Sequence, residues 1–145
     1  MELLAQLSQY ANVIANIDLV LQLLLLATVL IAAYLARFKH DTRTHCKTLR
    51  IAVAVQIAVV FSVMLPAMAG FLSGNPPINP FNVEMVVHHS LGLAVIGIWI
   101  YANLVLLGKI NGVGPLAVWM RTAFSLWMIT IALGIHIYLV TYVLV

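Results

Sequence analysis

Four apolar runs, each long enough to cross a bilayer, take up most of this chain and decide what it can fold into: roughly Ile17 to Phe38, Thr48 to Leu72, Val83 to Leu107 and Leu116 to Val145. A hydrocarbon core about 30 Å thick needs about 20 helical residues at 1.5 Å each. The composition agrees, with 64% of the 145 residues hydrophobic and 8% charged, against about 45–50% and 25% in soluble domains. The expected fold is therefore all-α, an integral membrane up-down four-helix bundle over residues 17–145, with helices near 17–38, 48–72, 83–107 and 116–145. Residues 1–16 carry Gln6, Gln9, Tyr10, Asn12 and Asn16, too polar to span, and are expected to form an interfacial segment on the outer surface.

Charge orients the trace. Arg37, Lys39, Arg43, Lys47 and Arg50 straddle one inter-helix connection and Lys109 and Arg121 flank another, whereas Glu2, Asp18 and Glu84 lie at the opposite ends of the runs. Lys and Arg concentrate on the cytoplasmic side of membrane proteins. The expected placement is thus the cytoplasmic membrane, with the basic loops cytoplasmic and with the N-terminus, the Gly74-Asn75-Pro76-Pro77 loop and the C-terminus outside. The net charge of +3 then serves anchoring, with anionic lipid contact second, and no nucleic-acid partner is expected. Glu2 and the lack of an N-terminal Lys or Arg predict that the first run is retained rather than cleaved as a signal. The lone Cys46 can form no intrachain disulfide.

The connections reinforce the antiparallel order. Lys39 to Lys47 is a polar hairpin containing His40 and His45, and the loop from Ser73 to Asn82 holds Pro76, Pro77 and Pro80, which forbid regular structure. Gly108, Gly112, Gly114 and Pro115 break the chain before the last run, with Pro115 suited to a first turn. Pro66 should kink the second helix and release the carbonyl of Ser62.

Polar residues at membrane depth are costly and usually mark function. Here they are Asp18, Gln22, Gln56, Glu84, His88, His89, Asn103 and His136. Neutral imidazole is tolerable in a bilayer and is a common haem or metal ligand. Counted at 1.5 Å per residue, His88 and His89 lie about 6–13 Å along helix three, and His136 lies about 13 Å from the end of helix four. All three share the outer half, at the equal depth a common ligand requires. His88 and His89 point about 100° apart, so one of them at most faces a given iron. Glu84 at i−4 offers His88 a hydrogen-bond partner. His89 shares a face with Gly92 and Gly97, whose missing side chains leave room for a macrocycle; it is the favoured ligand on helix three, and Gly134 adds clearance near His136.

Neighbouring helices stand about 8–10 Å apart, and a haem fits more easily between diagonal ones. Met64 and Met68, one turn apart around Pro66 on helix two, are therefore reserve ligands, as is His88, since thioethers serve both haem iron and Cu(I). His40 and His45 could form a second site near the cytoplasmic end. Asp18, Gln22 and Glu84 are candidates to orient a ligand histidine or to bind a quinone head group, while Asn103 and Gln56 are expected to cross-link helices. No Ser or Cys stands beside a base and an acid in the outer cluster, so hydrolytic catalysis is not expected.

In the last run Arg121, Trp127, Gly134 and Tyr138 recur at spacings of six, seven and four. With the histidine-containing basic hairpin from His40 to Arg50 and the stretch His88-His89-Ser90-Leu91-Gly92-Leu93-Ala94, this resembles the four-helix membrane family known as domain of unknown function 420, from about Leu30 to the C-terminus. The resemblance implies an accessory or assembly role beside haem-copper oxidases. The chain departs from the family pattern late in helix two, where Met64 and Met68 replace a histidine, in having no histidine before Arg121, and in the added His136.

The residues thus lead to an expected membrane-embedded haem b protein, a small cytochrome or respiratory-complex subunit. It would pass electrons to or from quinol or a partner subunit rather than act as a stand-alone enzyme. His136 and one of His88/His89 are the expected ligands. The alternatives are a copper-handling or assembly factor of a terminal oxidase, using Met64, Met68, Met85 and the histidines, and a non-redox structural subunit. Lipid and other respiratory membrane subunits are the expected partners.

Overall fold

The computed structural model describes the backbone of residues 2–144 and the side chains of residues 12–144. Val145, the expected end of the last helix, and the side chains of Gln6, Gln9 and Tyr10 lie outside the described residues. The chain forms α1 (Glu2–Phe38), α2 (Thr42–Val59), a π-helical turn (Val60–Met64), α3 (Leu65–Ser73), α4 (Pro80–Leu106) and α5 (Leu116–Tyr142). No strand occurs among the described residues. Because α2, the π turn and α3 run on without a break, four segments have the length and apolarity to cross a membrane: Asn12–Phe38, Thr42–Ser73, Pro80–Leu106 and Leu116–Tyr142, with mean hydropathies of 2.5, 2.3, 1.7 and 1.9. The protein is an all-α integral membrane protein of four spans. Its large apolar side chains are widely exposed, Leu24 at 60% and Ile31 at 59% among them, as suits a surface solvated by lipid.

Local chemistry sets the helix ends. Asp41 Oδ1 accepts from the backbone N–H of Thr44 at 2.9 Å and opens α2, after a turn in which His40 takes a left-handed φ of 56°. The Thr44 hydroxyl and N–H together hold the Asp41 carboxyl below its usual range. Asn79 caps α4 by accepting from the N–H of Asn82 at 2.7 Å, with Pro80 in the first turn, where its missing N–H costs nothing. Gly108, at φ 65°, closes α4 by donating to Val105 O at 3.0 Å while Lys109 N–H reaches Leu104 O at 3.0 Å. Pro66, which cannot donate a backbone bond, is the second residue of α3, one residue past the π turn, where the helix widens. At the amino end α1 continues as helix to Glu2, past the expected start at Ile17.

Two compact units divide the chain, one running to Val59 and including the end of α5 from Tyr138, the other spanning Val60–Ile137. In the first, α1 and α2 pack as an antiparallel pair. The interior positions on α1 are Asp18, Gln22, Leu25, Val29 and Ala32, and on α2 His45, Leu49, Ala52, Gln56 and Val59, alternating in steps of four and three. That 3.5-residue repeat is the seam of a left-handed helix pair. The small Ala32 and Ala52 are almost fully buried, which lets the backbones approach, since membrane helices gain from close contact rather than from escaping water. One bond fixes the register: His45 Nδ1 donates to Ala32 O at 2.8 Å. The Tyr138 hydroxyl donates to Asn16 Oδ1 at the other end of α1.

In the second unit α4 and α5 face each other with buried Val95, Ile96 and Ala102 on one side and Ala123, Trp127, Thr130 and Ile131 on the other. Trp99 and Trp127 meet edge to face at 5.4 Å, a favoured aromatic geometry. Tyr101 and Trp119 tie the connecting loop to the helices: Val113 N–H donates to the Tyr101 hydroxyl at 2.6 Å and Trp119 Nε1 donates to Val113 O at 2.7 Å.

Candidate functional site

Of His88, His89 and His136, His88 is the buried one, 8% exposed. Its Nδ1–H donates across to the backbone carbonyl of Thr130 on α5 at 2.9 Å. The Thr130 hydroxyl turns back to Leu126 O at 2.9 Å, leaving the Thr130 carbonyl to the imidazole. Gly134, one turn further along α5, makes the approach possible: a Cβ there would stand 2.8 Å from His88 Cε1. The space at Gly134 is thus occupied by the His88 ring rather than reserved for a macrocycle. At Gly92 a Cβ would meet Thr130 Cγ2 at 3.7 Å, an ordinary contact, and at Gly97 it would meet nothing within 4 Å. Gly97 instead lines a shallow apolar groove of about 480 Å³ with Ile98, Tyr101, Val113 and Trp119.

His89 is half-buried and its Nδ1–H donates to Met85 O at 2.8 Å within its own helix. The rings of His88 and His89 lie edge to face, 5.2 Å apart at 86°. His136 is the least enclosed, with 60% of its side chain exposed, and its Nδ1–H meets Glu84 Oε1 at 2.7 Å. Glu84 was expected to serve His88; the structure pairs it with His136. α4 and α5 therefore meet at successive levels through Glu84–His136, His88–Thr130 and Trp99–Trp127.

The three imidazoles share one chemical feature. In each, Nδ1 faces an oxygen that can only accept, a carbonyl or a carboxylate, so Nδ1 carries the proton, and in the neutral ring the lone pair is on Nε2. This is the tautomer of a histidine ligand whose other nitrogen is tied down. His45 has it too, through Ala32 O, and there it staples α1 to α2. His40 is exposed on its left-handed turn. Among the described residues no three His, Cys, Asp or Glu side chains gather around one point, so any metal centre here rests on one or two imidazoles with other donors. Met64, Met68 and Met85 are half-buried.

The donor set fits haem iron or copper at His88: an enclosed imidazole, locked by a carbonyl, with Nε2 available. The filled contact between His88 and Gly134 does not suit a flat ring wedged between these two at that level.

Two polar residues behave differently from expectation. Asn103 bonds Trp99 O of its own helix at 2.9 Å instead of cross-linking helices. Gln56, 6% exposed, has an Oε1 with no hydrogen-bond partner, and so do the buried Asp18 Oδ1 and Gln22 Nε2. Thr130 was not singled out in the sequence, because the group that matters is its carbonyl, which every residue carries. Of the expected quinone or ligand-orienting residues, Glu84 bonds His136, and Asp18 and Gln22 lie on the α1–α2 seam with Gln56. Compared with known proteins, the chain matches no family model, no curated protein and no solved structure.

Proposed function

We propose that this protein is a small membrane-embedded redox carrier that holds haem b through His88. The observation that carries the reading is the enclosed imidazole with Nδ1–H tied to Thr130 O at 2.9 Å. Nothing in an apolar four-helix protein requires such a group, and burying a polar ring inside a span is costly unless its bonds are met. Haem, when bound, supplies a one-electron couple whose potential the protein tunes by ligand and surroundings. His88 would hold the iron, and Thr130 would fix the ring's tautomer and rotation. Met64 or Met68 of the same unit, or His89, would complete the axial pair, with His136 acting through its bond to Glu84. Gly92, one turn beyond His88 on the same face of α4, packs against Thr130, whereas Gly97 lies on the opposite face. Quinol or a neighbouring respiratory membrane subunit would be the electron partner. The distribution of Lys and Arg supports basic loops in the cytoplasm and both termini outside.

Copper is the second reading, favoured by the filled His88–Gly134 contact. A single Cu(I) needs far less room than a macrocycle, and the adjacent rings of His88 and His89 with the thioether of Met85 are suitable soft donors. The likeness of the last helix to an oxidase-assembly family points the same way. Absorption spectra and metal analysis of the purified protein separate the cases. Soret and α bands on reduction with one equivalent of iron support haem, copper without iron supports the metal-handling role, and neither metal nor bands leaves a structural subunit.

A further inference from the structure

We propose that Asp18, Gln22 and Gln56 form a second, buried site, one that takes a single hydroxylic oxygen, either a water molecule or the hydroxyl of a lipid-soluble hydroquinone. This goes beyond the haem reading and does not depend on it. The site lies in the α1–α2 seam, where the His45–Ala32 bond sets the register. Counting equal steps from that pair along the 3.5-residue repeat places Leu25 level with Ala52, Gln22 level with Gln56, and Asp18 level with Val59. Gln22 and Gln56 therefore share one layer, and Asp18 stands one turn, about 6 Å, further out.

The unfilled valences of this layer are complementary. Asp18 Oδ1 and Gln56 Oε1 are buried acceptors without a donor among the described residues; Gln22 Nε2, also buried, stands by the Asp18 carboxyl one turn away on α1 but closes no hydrogen bond of good geometry. Gln56 itself is 94% enclosed, being 6% exposed. Other polar groups of the pair are committed elsewhere: the Tyr138 hydroxyl to Asn16, and the Thr28 hydroxyl to Leu24 O at 2.8 Å. Among the described residues of this helix pair the cation nearest in level to Asp18 is Arg50, exposed and nine residues before Val59 on α2, about 13 Å along the helix. A buried polar group left unmet costs stability, so an occupant that meets these groups is favoured. Water donates twice and accepts at least once, which meets all three needs. A phenolic hydroxyl donates once and accepts from Gln22, meeting two of the three. A bare metal cation meets the acceptors but repels the Gln22 N–H.

Nuclear magnetic resonance on the full chain in lipid nanodiscs, with glutamine side chains labelled with nitrogen-15 and assigned through Gln22→Met and Gln56→Met, tests this directly. The probes are the bulk water signal and added durohydroquinone. A cross-peak from a long-lived water to the Gln22 amide, lost in Gln56→Met, supports the site with water as occupant. A saturable durohydroquinone shift at Gln22, at least tenfold weaker in Gln56→Met, supports it with a membrane-borne hydroxyl. Because both signals are read first on the unsubstituted chain, a variant that fails to fold does not spoil the test. Neither signal, or a direct Gln22–Gln56 hydrogen bond seen as a scalar coupling, overturns the proposal. A protein with no haem but a filled seam would sink the redox reading alone.

Discussion

Replacing Gly134 by Ala probes the contact on which the histidine's placement rests. The new Cβ would lie 2.8 Å from His88 Cε1, closer than real carbon contacts, and at an ordinary 3.5 Å from Nδ1. The ring must swing away, and in doing so it stretches or breaks the 2.9 Å bond to Thr130 O. Losing that bond costs about 1 kcal/mol, and forcing a methyl into a filled contact about 1–3 kcal/mol. Against this, Ala gains up to about 1 kcal/mol over Gly in a helix. Taking the middle of these ranges, the expected net loss is about 2 kcal/mol. Gly97→Ala is the matched control, because its Cβ meets nothing within 4 Å, and it should be neutral or slightly stabilising. Reversible unfolding in mixed detergent micelles measures both, and His88→Ala in the Gly134→Ala background should remove most of the penalty that Gly134→Ala adds. Equal stability of Gly134→Ala and Gly97→Ala would refute the packing argument.

Other perturbations have distinct signatures. Asn79→Ala removes the cap that accepts from Asn82 N–H at 2.7 Å and should lower stability by about 1 kcal/mol, read by the same unfolding assay, whereas Asn79→Asp should not. Glu84→Gln should change stability by less than about 1 kcal/mol, since its partner His136 is mostly exposed; a double-mutant cycle with His136→Ala gives the coupling. Asp41 is held below its usual range by Thr44, so the carboxylate's contribution is present above its unfolded value of about 3.9 and is lost as pH falls through the lower folded value. The stability gap between the native chain and Asp41→Ala should narrow on acidification through that range and stay constant above it.

The four spans were legible because twenty apolar residues in a row admit little else, and the break at Gly108 carries a local signature of its own; the caps at Asp41 and Asn79 were not singled out. The rotation of each helix about its axis was not. His88 and His89 are adjacent in sequence and differ only by that rotation, and choosing His89 relied on Gly92 and Gly97 as clearance. The residue that encloses His88 is Gly134 on another helix, whose gap matches an imidazole in shape; a spacing pattern within one helix does not reveal that. Glu84 and His136 sit fifty-two positions apart, and no local pattern links them. The seam positions of Asp18, Gln22 and Gln56 follow a 3.5-residue repeat that could have been read early, but in apolar helices the repeat is masked, since lipid-facing and helix-facing positions are equally hydrophobic. The π turn before Pro66 was read as a kink because proline excludes the regular helical bond and does not dictate which irregular form replaces it.

The claim that His88 is the ligand is tested most directly by iron, copper and pigment content across three single substitutions, His88→Ala, His89→Ala and His136→Ala, purified side by side. The account predicts that His88→Ala alone abolishes the bound group, with His136→Ala retaining it. Full occupancy in His88→Ala, or its loss only in His136→Ala, would contradict it.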